Sequence, residues 1–290
     1  MRLPHFEMHR VETIEAATEL LDFHGDEAVI HCGGTELVLA MKLGFAPYGH
    51  LIDIKPIEEL NGIVAGDDLW IGAVATHRAI ERHPTVRSRW LGLAEMAASV
   101  GNVRVRNVGT IGGNLCFGEP HSDPATALLA ADASIECRRG REVRRIIPMS
   151  DFSVGPFETA LRPGELLVGV RVPPLVEGAT MLHRKIRFHE RAAATVAMTC
   201  RIENNRFAHL RLAVGAVGNQ SALVPDAEVL LADVPADALP ALSIDELGAL
   251  AVAAGRPVDD AYGSGDYKAH LLKVLIHRTL LDVVDAQRRP

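Results

Sequence analysis

The most informative feature of the chain is the stretch Thr110-Ile111-Gly112-Gly113-Asn114, with Cys32-Gly33-Gly34-Thr35-Glu36-Leu37 upstream. In each stretch a glycine pair lies next to a hydroxyl residue, after an apolar run and before a helix-like segment. Glycine lets a backbone approach a bulky anion without interference from a Cβ, and successive N–H groups at a helix start attract phosphate. Either stretch alone is more typical of a turn. The two together predict a pyrophosphate held from both sides by backbone N–H groups, as in a dinucleotide.

The composition is that of an ordinary globular protein of 290 residues, 48% hydrophobic and 23% charged. This length suits two or three domains with full-sized cores. The net charge of -7 and the scattered basic residues predict no nucleic-acid surface. No apolar run approaches the ~20 residues of a membrane span, and the N-terminus lacks the apolar segment of a secretory signal.

The cysteines are far apart: Cys32, Cys116, Cys137 and Cys200. They form no CxxC pair, which argues against a disulfide scaffold or a compact zinc site and suits a reducing cytoplasm. We interpret Cys116 as a packing residue, because one thiol cannot hold an iron–sulfur cluster that usually takes four. His5 and His9 are interpreted as surface residues rather than ligands. We therefore expect a cytoplasmic chain with no metal ligands of its own.

The first 54 residues alternate between helical and strand patterns. The predicted elements are a helix at 14–23 capped by Thr13, a strand at 28–31, a helix at 35–43 and a strand at 50–54. The first glycine pair follows the strand at 28–31 directly. This unit lacks the GxGxxG spacing of the Rossmann fingerprint, which argues against a Rossmann domain.

The rest of the chain is mixed and then becomes helical. The elements predicted before residue 177 are strands at 69–73 and 166–172, a helix capped by Thr76, a helix at 90–100 and a hairpin of 133–137 with 143–147. A domain boundary is expected near residue 177. Beyond it we predict strands at 194–202 and 207–217 around an Asn-Asn turn, then helices at 225–231, 244–254 and 264–284.

Several segments together resemble the flavin-binding subunit of the molybdenum hydroxylases. The resemblance rests first on residues 105–137 (VRNVGTIGGNLCFGEPHSDPATALLAADASIEC) and 32–44 (CGGTELVLAMKLG). Residues 159–173 (TALRPGELLVGVRVP) resemble the end of the family's flavin domain. Residues 183–198 (HRKIRFHERAAATVAM) and 263–284 (GSGDYKAHLLKVLIHRTLLDVV) resemble its C-terminal domain. The family includes the medium chain of aerobic carbon monoxide dehydrogenase and the central domain of xanthine dehydrogenase.

The resemblance implies an α+β fold of the vanillyl-alcohol-oxidase (PCMH) type, with FAD held between two subdomains. The FAD-binding domain would comprise residues 1–176, with subdomains at about 1–55 and 56–176. Residues 177–290 would form a C-terminal α/β domain with a small antiparallel sheet and helices.

The resemblance also implies the cofactor-binding residues. The first pyrophosphate loop would comprise Ile30, His31, Cys32, Gly33, Gly34, Thr35, Glu36, Leu37 and Val38, and the second Thr110, Ile111, Gly112, Gly113 and Asn114. Four further positions match cofactor contacts of the family: Val100 beside the cofactor, Asp123 as a hydrogen-bonding acid, Leu167 at the adenine end and Lys185 near the flavin. No side chain of the chain is expected to act as an acid or base on the organic substrate.

The residues themselves leave other roles open. Asp123 before a proline is typical of a helix cap, and Val100 is typical of a core residue. Lys185 in a polar strand is typical of a solvated charge. Arg104 and Arg106 suit a partner or cofactor contact, or an exposed edge strand.

The resemblance implies non-covalent FAD on this chain and two partner chains. An iron–sulfur small subunit would carry the [2Fe–2S] clusters and a molybdenum large subunit the molybdenum–pterin cofactor, in a dimer of heterotrimers. Electrons would pass through the clusters to this FAD and on to an external acceptor. Two alternatives remain open: a self-contained flavin oxidase of the same fold superfamily, and a cofactor-free interaction module whose glycine loops are turns. The short C-terminal region favours the subunit over the oxidase, which usually has a larger capping domain.

Overall fold

The structure, a computed structural model, describes residues 2–141, 143–232, 234–237, 239 and 241–288. They form an α+β fold with three successive layers, which we name the N-terminal layer (7–60), the central layer (63–172) and the C-terminal layer (180–288). Each layer has its own main sheet. Across this part of the chain, no helix combines the length and the apolar character needed to cross a membrane.

The N-terminal layer is a three-stranded parallel sheet with two helices. Its elements are β1 (Glu7–Arg10), α1 (Ile14–His24), β2 (Ala28–His31), α2 (Leu37–Leu43) and β3 (His50–Asp53), with two short 3-10 turns at Gly25–Glu27 and Glu58–Leu60. The strand order is β1-β3-β2, so β3 is central. Thr13 caps α1 as expected, because its Oγ1 accepts a hydrogen bond from the Ala16 N–H at 3.1 Å. The predicted α1, β2 and β3 are confirmed to within one residue at each end.

The central layer is a five-stranded antiparallel sheet covered by helices. Its strands are β4 (Ile63–Ala65), β5 (Leu69–Gly72), β6 (Ser134–Arg139), β7 (Val143–Pro148) and β10 (Leu166–Val172), in the order β4-β5-β10-β6-β7, with the small ladder β8 (Ser153–Gly155) and β9 (Glu158–Thr159) beside them. Its helices are α3 (His77–Arg82), α4 (Pro84–Arg89), α5 (Leu91–Ser99), α6 (Val103–Val108), α7 (Ile111–Phe117), α8 (Asp123–Ala130) and α9 (Met149–Phe152). Trp90 is fully buried in this core, and its indole N–H donates to the carbonyl of Pro173 at 3.1 Å.

The C-terminal layer is a four-stranded antiparallel sheet with helices on one face. Its elements are β11 (Thr180–Phe188), β12 (Arg191–Glu203), β13 (Arg206–Gly215), β14 (Ala222–Leu223), α10 (Ala227–Leu231), α11 (Ala241–Gly255) and α12 (Gly265–Arg288). One face of the sheet packs on α11 and α12, and the other packs on α5 and α8 of the central layer. Buried hydroxyls join the two layers: Thr126 on α8 lies 2.9 Å from Thr195 on β12, and Thr199 donates to the carbonyl of Ala130 at 2.8 Å.

Two expectations from the sequence are wrong. Arg104 and Arg106 lie on α6, not on an edge strand, because the Asn102 side chain caps a helix there by accepting from the Arg104 N–H at 2.9 Å. Arg106 turns inward and pairs with Glu81 at 3.0 Å. Cys116 is exposed on α7 and is therefore not a packing residue.

Candidate cofactor site

The two glycine loops meet at the boundary between the N-terminal and central layers. A Cβ on Gly33 would lie 2.1 Å from the carbonyl oxygen of Val108 and 2.8 Å from the Cα of Gly109. No side chain can occupy that space, so only glycine allows the first loop to touch the segment that leads into the second. A Cβ on Gly109 would in turn lie 3.5 Å from Oγ1 of Thr35. The structure therefore brings together the two loops that the sequence singled out.

The first loop presents a run of free backbone donors. Within the described residues, the N–H groups of Gly33, Gly34, Thr35 and Glu36 donate to no protein acceptor. Gly34 has a left-handed φ of +67°, whereas Glu36 is right-handed, and α2 begins at Leu37. Thr35 and Glu36 form a turn before the helix, and successive free N–H groups in such a turn form a concave anion-binding nest. The first loop thus has the donors that a diphosphate requires.

Four of the five N–H groups of the second loop, those of Ile111 to Asn114, are already used inside the protein. Those of Ile111 and Gly112 donate to the carbonyls of Ala75 and Ala73 at 3.0 and 2.9 Å, and that of Gly113 donates to Thr110 Oγ1 at 3.1 Å. Asn114 N–H also donates within the loop, to the Thr110 carbonyl at 3.0 Å. The expectation that both loops offer backbone donors therefore holds only for the first loop. In the second loop Gly112 packs against Ala73, and the buried Thr110 hydroxyl accepts from Gly113 while its own proton is not used in capping α7.

Asp123 and Lys185, both predicted as cofactor contacts, pair with each other. Lys185 Nζ on β11 donates to Asp123 Oδ2 at 2.7 Å, and both side chains are buried. Asp123 is the first residue of α8, but its side chain caps nothing, so the capping interpretation is wrong. The interpretation of Lys185 as a solvated charge is wrong too, because its side chain is only 6% exposed.

The second oxygen of Asp123 has no partner. Oδ1 is buried without a hydrogen bond in the described protein, and Nε2 of His183, 4.0 Å away, is likewise unpaired. Burial raises the pKa of Asp123 to about 6, although the charge of Lys185 acts in the opposite direction. Burial also lowers the pKa of His183 to about 3, so that ring is neutral at neutral pH. The Ser122 hydroxyl, one residue before Asp123, donates to Asn114 Oδ1 and so ties the start of α8 to the second loop. A buried carboxylate oxygen without a partner calls for a donor, which a bound ligand would supply.

Arg191 joins the segments that follow both glycine pairs, and sequence reasoning missed it. Its guanidinium, at the start of β12, donates to Glu36 Oε2 at 3.0 Å and to Glu119 Oε2 at 2.6 Å. Burial raises the pKa of Glu119, but hydrogen bonding to His121 and the charge of Arg191 outweigh it, so the pKa is lowered overall. His121 continues the chain of contacts to Asp260 at 2.9 Å. Glu36 thus uses its carboxylate to hold the C-terminal layer, and only its N–H remains for a ligand.

The other residues predicted for the first loop hold it in position through packing and hydrogen bonds. Ile30 and His31 end β2, and His31 Nδ1 lies 3.7 Å from Asp53 Oδ1. Cys32 is buried, and burial raises the pKa of its thiol to about 12. Leu37 begins α2, and Val38 donates its N–H to the Gly34 carbonyl at 3.0 Å, which closes the turn.

Val100 and Leu167 lie in the core of the central layer. They are 8% and 2% exposed. Leu167 pairs with Cys137 where β10 shifts its register, and the carbonyl of Val100 accepts from Arg106 at 3.2 Å. Since their side chains are packed inside the protein, contacts with a cofactor stay predictions and would fall mainly to their backbones.

Comparison with known proteins agrees with this geometry. Residues 4–175 match the FAD binding domain in molybdopterin dehydrogenase, and residues 183–283 match the CO dehydrogenase flavoprotein C-terminal domain. The class of protein is therefore a flavoprotein of the molybdenum-containing dehydrogenases.

Relatives cover nearly the whole chain. The carbon monoxide dehydrogenase medium chain of Hydrogenophaga pseudoflava is 33% identical over 96% of both chains. A putative xanthine dehydrogenase FAD-binding subunit of Escherichia coli is 29% identical over 96% of both. A solved structure of carbon monoxide dehydrogenase from Hydrogenophaga pseudoflava superposes with a TM-score of 0.92 at 31% identity, covering 99% of both chains. This chain belongs to the family of FAD-binding medium subunits of molybdenum hydroxylases.

Proposed function

We propose that this chain is the FAD-carrying electron-transfer subunit of a heterotrimeric molybdenum hydroxylase. It would receive electrons from [2Fe–2S] clusters of an iron–sulfur subunit and deliver them to an external acceptor. The observation that carries the proposal is the nest of free N–H groups at Gly33–Glu36, packed against Val108 and Gly109 at the start of the second loop. FAD, when bound, supplies the ability to accept electrons singly and release them in pairs.

The chain's own residues would hold the cofactor at three places. The nest and the Thr35 and Thr110 hydroxyls would bind the pyrophosphate, whose charge suits backbone and hydroxyl donors. Asp123 Oδ1 would accept from a ribose hydroxyl or an amide, because a carboxylate is ill placed against phosphate. Lys185 would supply positive charge near the flavin ring, moderated by its pairing with Asp123.

The partner chains are implied by the family, and the cysteines agree with this assignment. Four separated thiols do not provide the four clustered ligands that an iron–sulfur cluster usually takes, and three of them are buried in different places. We therefore assign the clusters and the molybdenum–pterin to partner subunits, in a dimer of heterotrimers in the cytoplasm. The division into a domain at 1–176 and a C-terminal domain at 177–290 belongs to this proposal.

The test compares the isolated FAD-loaded chain with the complex assembled from co-expressed genomic neighbours. Each is mixed anaerobically with aldehydes, purines, thioesters or carbon monoxide while the flavin absorbance is followed. We expect no flavin reduction in the isolated chain and rapid reduction in the complex with its own substrate. Rapid reduction of the isolated chain would favour the self-contained oxidase, and absence of bound flavin would favour the interaction module.

A further inference from the structure

Three histidines that are far apart in the sequence meet at one end of the N-terminal sheet. His9 is on β1, His24 is the last residue of α1, and His50 begins β3. One ring nitrogen from each lies within 4.8 Å of the other two. His9 Nε2 is 3.0 Å from His50 Nδ1, and the rings of His24 and His50 stack with centroids 3.7 Å apart. His9 was expected to be a surface residue rather than a ligand; its side chain is 18% exposed and contacts His50.

A carboxylate completes the group. Glu7 Oε2 lies 3.9 Å from His9 Nε2 and 3.7 Å from His50 Nδ1. Strand geometry explains the meeting, because Glu7 and His9 are two residues apart on β1 and so share a face. His50 is the direct neighbour of Glu7 across the parallel β1–β3 pair. Three imidazole nitrogens thus lie within 4.8 Å of one another, and an exposed carboxylate lies beside two of them; zinc binds both types of donor.

We propose that His9, His24 and His50, with Glu7, form a binding site for a divalent transition-metal ion of the zinc class. This departs from our expectation of a chain without metal ligands. A set of three imidazole nitrogens and one carboxylate suits borderline ions such as Zn²⁺. It does not suit Mg²⁺ or Ca²⁺, which prefer oxygen ligands throughout. The carboxylate also offsets part of the ion's charge.

The spacing needs only side-chain adjustments to become that of a four-coordinate site. Zinc–nitrogen bonds of about 2.0–2.1 Å place tetrahedral ligand atoms roughly 3.3 Å apart. The His9–His50 pair, at 3.0 Å, is near that separation, Glu7 has to approach by a few tenths of an ångström, and His24 has to leave its stack with His50. The ring of His24 is only partly buried, at the end of its helix, so rotation of the side chain has room. The side chains of His9 and His50 are 18% and 21% exposed, which leaves a path for an ion.

The site lies away from the cofactor loops. His50 begins β3, whereas the first loop follows His31, which pairs with Asp53 at the other end of that strand. Three residues of strand separate the two ends by about 10 Å. A metal here would fasten the edge strand β1 to α1 and β3. Its role would be to stabilise the N-terminal layer rather than to take part in flavin chemistry.

The test uses tag-free, FAD-loaded chain freed of metal with a chelator. Zinc is titrated by calorimetry near pH 7.5, where unperturbed imidazoles are neutral. We expect one equivalent to bind, with a rise in melting temperature. Loss of a hydrogen-bond partner of a metal ligand weakens metal binding roughly tenfold. Loss of a ligand itself should cost more, so His9→Gln, His24→Gln and His50→Gln should each weaken zinc binding by more than that. His5→Gln, which changes an exposed histidine of the same segment, is the matched control and should bind like the parent chain.

Flavin absorbance and circular dichroism verify that each variant is folded. The three histidines are only partly buried, so they are suited to replacement by glutamine. Copper(II) in place of zinc adds a second readout, because nitrogen hyperfine splitting in the electron paramagnetic resonance spectrum reports imidazole ligands. Absence of saturable zinc binding, binding only at about millimolar zinc, or equal losses in His5→Gln would overturn the proposal. Retained flavin reduction in the complex alongside any of these results would leave the proposed function intact.

Discussion

Lys185 of the C-terminal layer donates to Asp123 of the central layer across 2.7 Å, with both side chains buried. Each residue was expected to contact the cofactor separately, and the structure makes them one unit. The lysine satisfies one carboxylate oxygen and leaves the other without a partner. A ligand donor that reaches this oxygen therefore meets an acceptor already oriented from a different layer.

Removing one partner of the Lys185–Asp123 pair should lower the free energy of unfolding more than replacing both partners. Lys185→Met leaves a buried carboxylate without a counterion, so we expect about 3–5 kcal/mol of lost unfolding free energy. The double variant Asp123→Asn with Lys185→Met should recover much of that loss, because no isolated charge remains. Urea unfolding measures both, and Lys42→Met, at an exposed position, is the control. A single variant as stable as the parent chain would show that the pair is not formed.

The glycine contact between the loops gives a second prediction. Gly33→Ala places a Cβ against the Val108 carbonyl and must separate the loops. We expect FAD affinity to fall by an amount on the order of 2–4 kcal/mol, through lost hydrogen bonds and displaced backbone. Gly49→Ala is a matched control, since its Cβ would meet nothing within 4 Å. Flavin fluorescence titration gives both values. Unchanged affinity in a folded Gly33→Ala variant would remove these loops from the site.

Arg191 should affect cofactor binding more than stability. It is about one-third exposed, so loss of its two ion pairs should change the unfolding free energy by no more than about 1 kcal/mol. In Arg191→Met, however, Glu36 is released next to the nest, and we expect several-fold weaker FAD binding. Arg201→Met is the control, because Arg201 is equally exposed and pairs only with Glu203 on its own strand among the contacts of the described chain. Equal effects of the two variants on FAD affinity would contradict this role.

Buried His77 should make the protein sensitive to acid. Burial, followed by the charge of Arg106, lowers the pKa of His77 from 6.5 to about 4. Below pH 6.5 the imidazole of His77 is therefore protonated in the unfolded chain but stays neutral in the folded chain. The free energy of unfolding decreases as the pH falls from about 6.5 to 4. At pH 5 this loss amounts to about 2 kcal/mol. In His77→Leu the difference in stability between pH 7.5 and pH 5 should shrink by that amount, whereas His5→Gln should leave it unchanged.

The FAD should be free of covalent linkage. Cys32, the thiol in the first loop, is buried with its pKa raised to about 12, so the reactive thiolate is not formed at neutral pH. Acid precipitation of the flavin-loaded chain should release all the yellow colour into the supernatant. Colour that stays on the washed precipitate would identify a covalent bond.

Local patterns predicted the individual elements well. Thr13 and Thr76 have the cap hydrogen bonds that their positions predict, and the first glycine loop touches the segment that leads into the second. The edge strand expected at Arg104 and Arg106 was wrong for a local reason. Alternating valine and arginine is typical of a strand, but the Asn102 side chain caps a helix there.

Contacts between distant segments were beyond sequence reasoning. Arg191 and Glu36 are 155 positions apart, and no periodicity links them. The same holds for the meeting of His9, His24 and His50, which depends on the strand order of the first sheet. The use of the second loop's N–H groups by Ala73 and Ala75 also needed the structure, because only the position of β5 beside α7 makes them partners.

The pairing of Lys185 with Asp123 also orders events in time. The ribosome synthesises the chain from the N-terminus onward, so both glycine loops exist before the hairpin that carries Lys185 and Arg191 has been made. Until then Asp123 has no counterion and Glu36 has no guanidinium to hold it. The flavin-binding half is therefore complete in sequence before its buried charges are paired, and a stable cofactor complex has to await synthesis of the hairpin that carries Lys185 and Arg191.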